Sequence, residues 1–305
     1  METKTVPTPD EIWAILRETA AKTSILLAII FATTLTLSAQ FSGGSGTQTD
    51  PYQITSKADL EALSDSCFYV NNYSLGKYFL LMNNITDPWD YRGIGYDSTK
   101  SFYGNFNGNN HTINLNVSSE TNIFVLYNAG TIKKLTVIGV SAGGGISSKN
   151  LSTGIIDSCN NNAAITGFYC GGITMHNLGT ISNCTNTGNI TATVHSGGIS
   201  CSNDNPAAYP SIINCMNTGI IKGLTRVGGI VGFANNYCHI TKCINTNVAE
   251  GTDFVGAILG EISGNTTITD CFYDIQMCKY KAVNNQDHPG VTGLPTHLLM
   301  DELAK

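Results

Sequence analysis

The chain has 305 residues, of which 42% are hydrophobic and 9% aromatic, so it is long enough to bury a substantial core. Only 12% are charged, about half the usual share, and the net charge is −6. With no basic stripe, that balance argues against a nucleic-acid partner, and the Asn, Thr, Ser and Gly that replace the charges suit the coat of a secreted solenoid.

The first segment, 1–39, reads as an export element. Thr23 to Ala39 is an uncharged apolar run flanked by Lys22 and closed by Leu37-Ser38-Ala39-Gln40, the pattern of a signal peptide cut near Ala39 or Gln40. The same run is just long enough to span a bilayer, so an uncleaved N-terminal membrane anchor is the alternative, with Pro9 to Thr19 as a short amphipathic helix before it. Either way the remainder faces outward, and any contact with a membrane is through this segment.

Residues 40–76 read as a cap. A solenoid's first coil exposes an edge that would pair with other chains unless covered. Ser56 to Asp59 is an N-cap-like start for a short helix over Ala58–Leu63, with Leu60 and Leu63 facing the first coil. A strand over Lys77–Met82 and the alternating stretch Phe102–Val117 follow.

From residue 156 one phrase recurs five times, isoleucine, then cysteine three residues on, then asparagine or, once, tyrosine. The ladder positions are Ile156/Cys159, Ile181/Cys184, Ile212/Cys215, Ile240/Cys243 and Ile268/Cys271, followed by Asn161, Asn186, Asn217, Asn245 and Tyr273. The cysteines are 25, 31, 28 and 28 residues apart, a period that means stacked supersecondary units. Six residues past each cysteine stands Ile165, Ile190, Ile221, Ala249 or Met277. Further on comes Gly171-Gly172-Ile173, Gly197-Gly198-Ile199, Gly228-Gly229-Ile230 or Gly256-Ala257-Ile258. Three short β-type pieces per unit, separated by turn residues, predict an all-β, right-handed parallel β-helix over 77–280 with a short N-terminal capping helix. Coils about 4.8 Å apart stack isoleucine on isoleucine, and asparagine on asparagine at a corner that tolerates left-handed backbone. The tail 281–305, with Leu298, Leu299, Met300 and Leu303, is a cap for the other end or a simple stop.

These segments resemble bacterial surface proteins bearing GLUG repeats. The likeness rests on Phe41–Leu60, Phe102–Val117, Gly229-Ile230-Val231-Gly232, Gly256–Gly260, Cys271-Phe272-Tyr273-Asp274 and Gly293–Thr296, and covers about residues 41–300. The resemblance implies a β-helical extracellular module, adhesin-like, often part of a larger protein, and brings no catalytic residues with it.

Five stacked cysteines suit buried free thiols better than disulfides, whereas Cys67, Cys170, Cys201, Cys238 and Cys278 are expected to contain bridges. No Cys-x-x-Cys pair occurs and the histidines are scattered, so no metal and no cofactor is expected. Some immunoglobulin-cleaving peptidases carry similar repeats, but no His-Glu-x-x-His occurs, nor a Gly-x-Ser-x-Gly elbow. Asp157 lies four coils from Asp270 and Asp274, about 19 Å along the axis, whereas inverting glycosidases need carboxyl groups about 6.5–9.5 Å apart. Lys222 and Arg226 share one loop that could meet an anion, and His176, His195 and His239 read as unmatched surface residues. Two classes remain. One is a secreted or cell-surface binding or structural module for extracellular glycans or host glycoproteins, with Tyr91, Tyr96, Phe102, Tyr103 and Tyr127 as ligand-facing candidates, although packing of the first coil is the preferred reading for each of them singly. The other is a β-helix polysaccharide lyase or glycoside hydrolase.

Overall fold

The computed structural model describes residues 41–303 apart from 121, 205–208 and 236, and the export segment read over 1–39 lies outside them. The described residues form one compact unit. No helix among the described residues is long and apolar enough to cross a membrane.

The described residues wind into a parallel β-helix of about eight turns. Strands stack into three parallel sheets of nine, fifteen and six members. Parallel pairing starts at Tyr52–Ile54, which lies on Tyr78–Leu81, and ends at Val291–Leu294, which lies on Cys271–Asp274. The second sheet turns a corner because one long strand, Thr136–Gly144, pairs with both Asn160–Asn161 and Ala164–Gly171.

The recurring phrase forms one corner of each coil. In the first sheet Phe79, Phe106, Ile132, Ile156, Ile181, Ile212, Ile240 and Ile268 lie in register and buried. Each isoleucine removed from water contributes about 1.5–3 kcal/mol. Two residues later the chain turns through left-handed backbone at Ser158, Asn183, Asn214, Lys242 and Asp270, all with φ of 52–54°. The left-handed corner is therefore not at the ladder asparagines, as expected from the sequence, but just before each cysteine. Met277, the expected fifth member of the aliphatic row, is exposed, and that row ends at Ala249.

Asn161, Asn186, Asn217 and Asn245 are fully buried, and each of the first three amides donates to the next coil's amide oxygen, at 2.7, 2.7 and 2.8 Å. A second amide column, which the sequence reading missed, runs through Asn128, Asn150, Asn177 and Asn203 at 2.8, 2.9 and 2.7 Å. It stops where the next coil brings Ala234 into register, which leaves the Asn203 Nδ2 buried without an acceptor.

All ten cysteines are buried thiols, and none forms a disulfide. The bridges expected among Cys67, Cys170, Cys201, Cys238 and Cys278 are absent. Off-ladder thiols turn to backbone carbonyls instead, Cys238 to Asn203 at 2.7 Å and Cys201 to His195 at 3.6 Å. Burial pushes the Cys67 and Cys170 thiols up to about 12, so both are poor nucleophiles.

The N-terminal cap holds helix α1, Lys57–Tyr69, longer than the Ala58–Leu63 read from sequence. Ser64 Oγ donates to the Arg92 carbonyl at 2.8 Å, which ties the extra turns to the first coil. Ser56 and Asp59 form a reciprocal capping box. The Asp59 carboxylate also accepts from Thr55 N at 2.8 Å and Ser42 Oγ at 2.9 Å, binding the entering chain to the helix. Burial alone would raise its pKa, but these donors outweigh burial and hold the carboxyl below its usual value. A depressed folded-state pKa gives stability that is complete well above the unfolded value of about 3.9 and is lost as pH falls through the folded one. Melting scans should therefore show Asp59→Asn lowering Tm at pH 7 with the gap to wild type closing toward pH 3, and a gap constant with pH would refute the assignment. At the other end, Asp274 accepts from Thr296 Oγ1 at 2.6 Å beside helix α2, Thr296–Leu303. There Leu299 is buried while Leu298 and Met300 are exposed.

Candidate binding surface

The glycine pairs organise the outer face. Each lies inside an eight-residue phrase whose first and last members point outward: Tyr169 to His176, His195 to Ser202, Arg226 to Phe233, and Phe254 to Glu261. The strand before each glycine pair places Tyr169 beside His195. Neighbouring pairs Ser196–Val227 and Val227–Val255 then carry Arg226 and Phe254 onto the same column. The strand after it stacks Tyr127, Lys149, His176, Ser202, Phe233 and Glu261 into a second column. Strand alternation turns these residues outward while Ile173, Ile199, Ile230 and Ile258 fill the interior.

The two columns touch. The Arg226 guanidinium carbon lies 4.4 Å from the Phe233 ring centroid on its own rung, and its Nε donates to the Glu261 carboxylate on the next. Tyr169 and His195 rings are 5.1 Å apart, and His176 Nδ1 shares a 2.7 Å hydrogen bond with Ser202 Oγ. Tyr169 is 38% and Phe254 42% exposed, while the other members are half-buried. Arg226 and Phe254 hold left-handed backbone with φ of 54° and 52°, an uncommon conformation for bulky side chains. Burial first, then the Lys149 charge, lowers the His176 pKa to about 4. Burial and Arg226 also lower that of His195, against the pull of Glu261. Both imidazoles are therefore neutral at neutral pH, each able to donate from one nitrogen and accept at the other.

The aromatic candidates from the sequence do not converge. Phe102 is 1% exposed and packs 5.9 Å from Phe79 in the core, so it cannot face a ligand. Glycine at 104 leaves room for that ring to turn inward. Tyr103 is half-buried, with its backbone N–H on Ser74 Oγ. Tyr91 and Tyr96 belong to a separate cluster on the cap, where Phe68 lies 4.9 Å from Tyr96 and 3.8 Å from Arg92. Tyr91 there donates to Asp65 at 3.0 Å. Only Tyr127 stands on the two-column face, at its first rung.

Charged candidates are engaged with neighbouring side chains. Lys222 pairs with Glu250 at 3.4 Å, Arg226 with Glu261, and Asp157 accepts from Ser182 Oγ at 2.6 Å and Asn183 Nδ2 at 2.7 Å. Asp274 is buried in the C-terminal cap. Among the described residues no three or more His, Cys, Asp or Glu gather closely enough to hold a metal ion. His176 and His195, read from sequence as unmatched, are in fact column members. The signal that would have found them was the constant offset of seven residues across each Gly-Gly-Ile, 169 to 176 and 195 to 202.

No protein-family model matches this chain, and no curated protein matches it. Among solved structures, the crystal structure of a protein from Bacteroides ovatus named as a candidate immunoglobulin A1 protease is similar. It has a TM-score of 0.62 over 86% of this chain and 89% of that one, at 19% identity. At that identity the likeness is one of fold.

Proposed function

We propose that this chain is an exported β-helical module, secreted or held at the cell surface, that binds extracellular glycans or host glycoproteins through the two-column face. The observation that carries this reading is the repetition, rung after rung, of a half-exposed ring beside a hydrogen-bonding group, an arrangement the solenoid core does not require. The resemblance to GLUG-repeat surface proteins and the apolar leader run support the extracellular setting. The neighbour's name points toward proteolysis, and a β-helix lyase or hydrolase is a further alternative. Binding is favoured over both because Arg226 and Glu261 are paired with each other, and because no described hydrogen bond or ion pair joins His176, which shares its hydrogen bond with Ser202 Oγ, to a carboxylate that would complete a catalytic set.

The test is a glycan and mucin array probed with the folded protein and with a Tyr169→Ala/Phe233→Ala variant. Retention on a defined glycan or glycoprotein, lost in the variant, is expected. A blank array from protein with an intact β-rich circular dichroism spectrum would refute the reading.

A further inference from the structure

We propose that the two-column face takes an uncharged, linear, β-linked polysaccharide laid along the solenoid axis, one sugar per coil. This inference rests on the binding reading above and names its ligand.

Spacing carries the first part of the argument. Column members are held in register by inter-coil backbone hydrogen bonds, so equivalent side chains recur at the strand separation of about 4.8 Å. An extended β-1,4-linked chain of six-membered sugars advances by a closely similar step per residue. Such a ligand meets one outward-facing pair of side chains at every step, whereas a folded protein epitope has no matching period. The four rungs from Tyr169 to Phe254 span about 14 Å, room for four consecutive sugars, with Lys149 and Tyr127 extending the track at one end.

Chemistry carries the second part. Across the rungs Tyr169, Phe233 and Phe254 offer flat apolar surface for the C–H faces of sugar rings. Beside them His176, His195, Ser202, Arg226 and Glu261 offer both donors and acceptors, the mixture that hydroxyl groups need. Charge carries the third. Arg226 and Glu261 neutralise each other, burial keeps both imidazoles uncharged, and Lys149, 5.4 Å from the Tyr127 ring, is the one cation of the face without a carboxylate partner among the described contacts. A polyanion would find one positive charge along the whole track, so an uncharged chain fits better.

The experiment is calorimetric titration of the full chain with β-1,4-linked gluco-, xylo-, manno- and N-acetylchito-oligosaccharides, from dimers to octamers, at low and at high salt. For one of the series, Kd should fall with each added sugar up to the tetramer or pentamer, stay level beyond it, and be unmoved by salt. Tyr169→Ala and Phe233→Ala should each weaken the longest oligomer about tenfold with an unchanged melting curve. Full affinity at the disaccharide, salt-sensitive preference for a polyanion such as alginate, or indifference to both substitutions would overturn the assignment. Silence toward every oligosaccharide, with a glycoprotein retained through the same two side chains, would overturn the polysaccharide ligand and leave the binding face standing. Silence toward both would overturn the two readings together.

Discussion

Asn217→Ala is expected to lower stability by about 3 kcal/mol, a large share of what a single site can contribute. The Asn217 side chain spends its whole hydrogen-bonding capacity inside the stack. Its Nδ2 donates to Gly219 O at 2.9 Å and Asn245 Oδ1 at 2.8 Å, and its Oδ1 accepts from Asn186 Nδ2 at 2.7 Å and Gly219 N at 3.3 Å. Truncation leaves the Gly219 backbone groups unpaired in a site with no exposure and interrupts a chain of amides that polarise one another. Asn217→Asp separates shape from bonding, because a carboxylate of the same outline has no hydrogen for Asn245 and buries a charge. It should be at least as damaging as alanine. Guanidinium unfolding followed by circular dichroism checks both, and the transition should broaden, because coils contact only their neighbours and an interrupted stack loses cooperativity at the break. A shift below about 1 kcal/mol for Asn217→Ala would mean that the isoleucine rows alone set stability.

The second large effect is Gly198→Ala. A methyl group there would stand 2.0 Å from the Gly229 carbonyl oxygen and 2.6 Å from Asn217 Cγ. Neither can retreat cheaply, since the glycine pairs are themselves bonded from coil to coil, Gly198 N to Gly228 O at 3.1 Å and Gly229 N to Gly256 O at 3.2 Å. The expected loss is about 3 kcal/mol, the upper end for an overpacked interior. The chain contains its own control in Ala257, which occupies the equivalent place in the last repeat. There the next coil supplies Tyr273 in place of an asparagine, and Ala257 N bonds to Lys281 O at 2.8 Å in place of another glycine pair. Ala257→Gly should therefore cost about 1 kcal/mol or less, through the extra freedom of the unfolded chain. Equal losses at 198 and 257 would refute this account of why the glycines recur.

Acid sensitivity at Asp59 and ligand capture by Tyr169 and Phe233 probe different parts of the same architecture. The first tests how the entering chain is fastened to the first coil, and the second tests what the finished stack presents to solvent. Because the column residues are partly exposed, their truncation should leave the melting curve where it is, which separates recognition from folding.

What the sequence determined by itself is the interior. A parallel stack sets like above like, so the interior can be repeated only by repeating residue types, and Ile156, Cys159 and Asn161 recur visibly in the next coils. Even there the reading erred in detail. It assigned the left-handed turn to the asparagine because asparagine tolerates it, whereas Ser158, Lys242 and Asp270 take that conformation at the corner geometry's demand. It expected bridges at the off-ladder cysteines from export chemistry, but all five are buried thiols without a bridge, and those of Cys201 and Cys238 are turned to backbone carbonyls. It stopped α1 at Leu63, where helix-forming residues thin out, although packing of Ser64 and Cys67 against the first coil carries the helix on to Tyr69. The outer face was decided only by tertiary structure. Tyr169, His195, Arg226 and Phe254 are four different residue types and lie 26 to 31 residues apart, so no repeated identity marks them as neighbours. Closure of each coil sets them one strand spacing apart, and the solvent side of that column, having no core to fill, is free to vary from rung to rung.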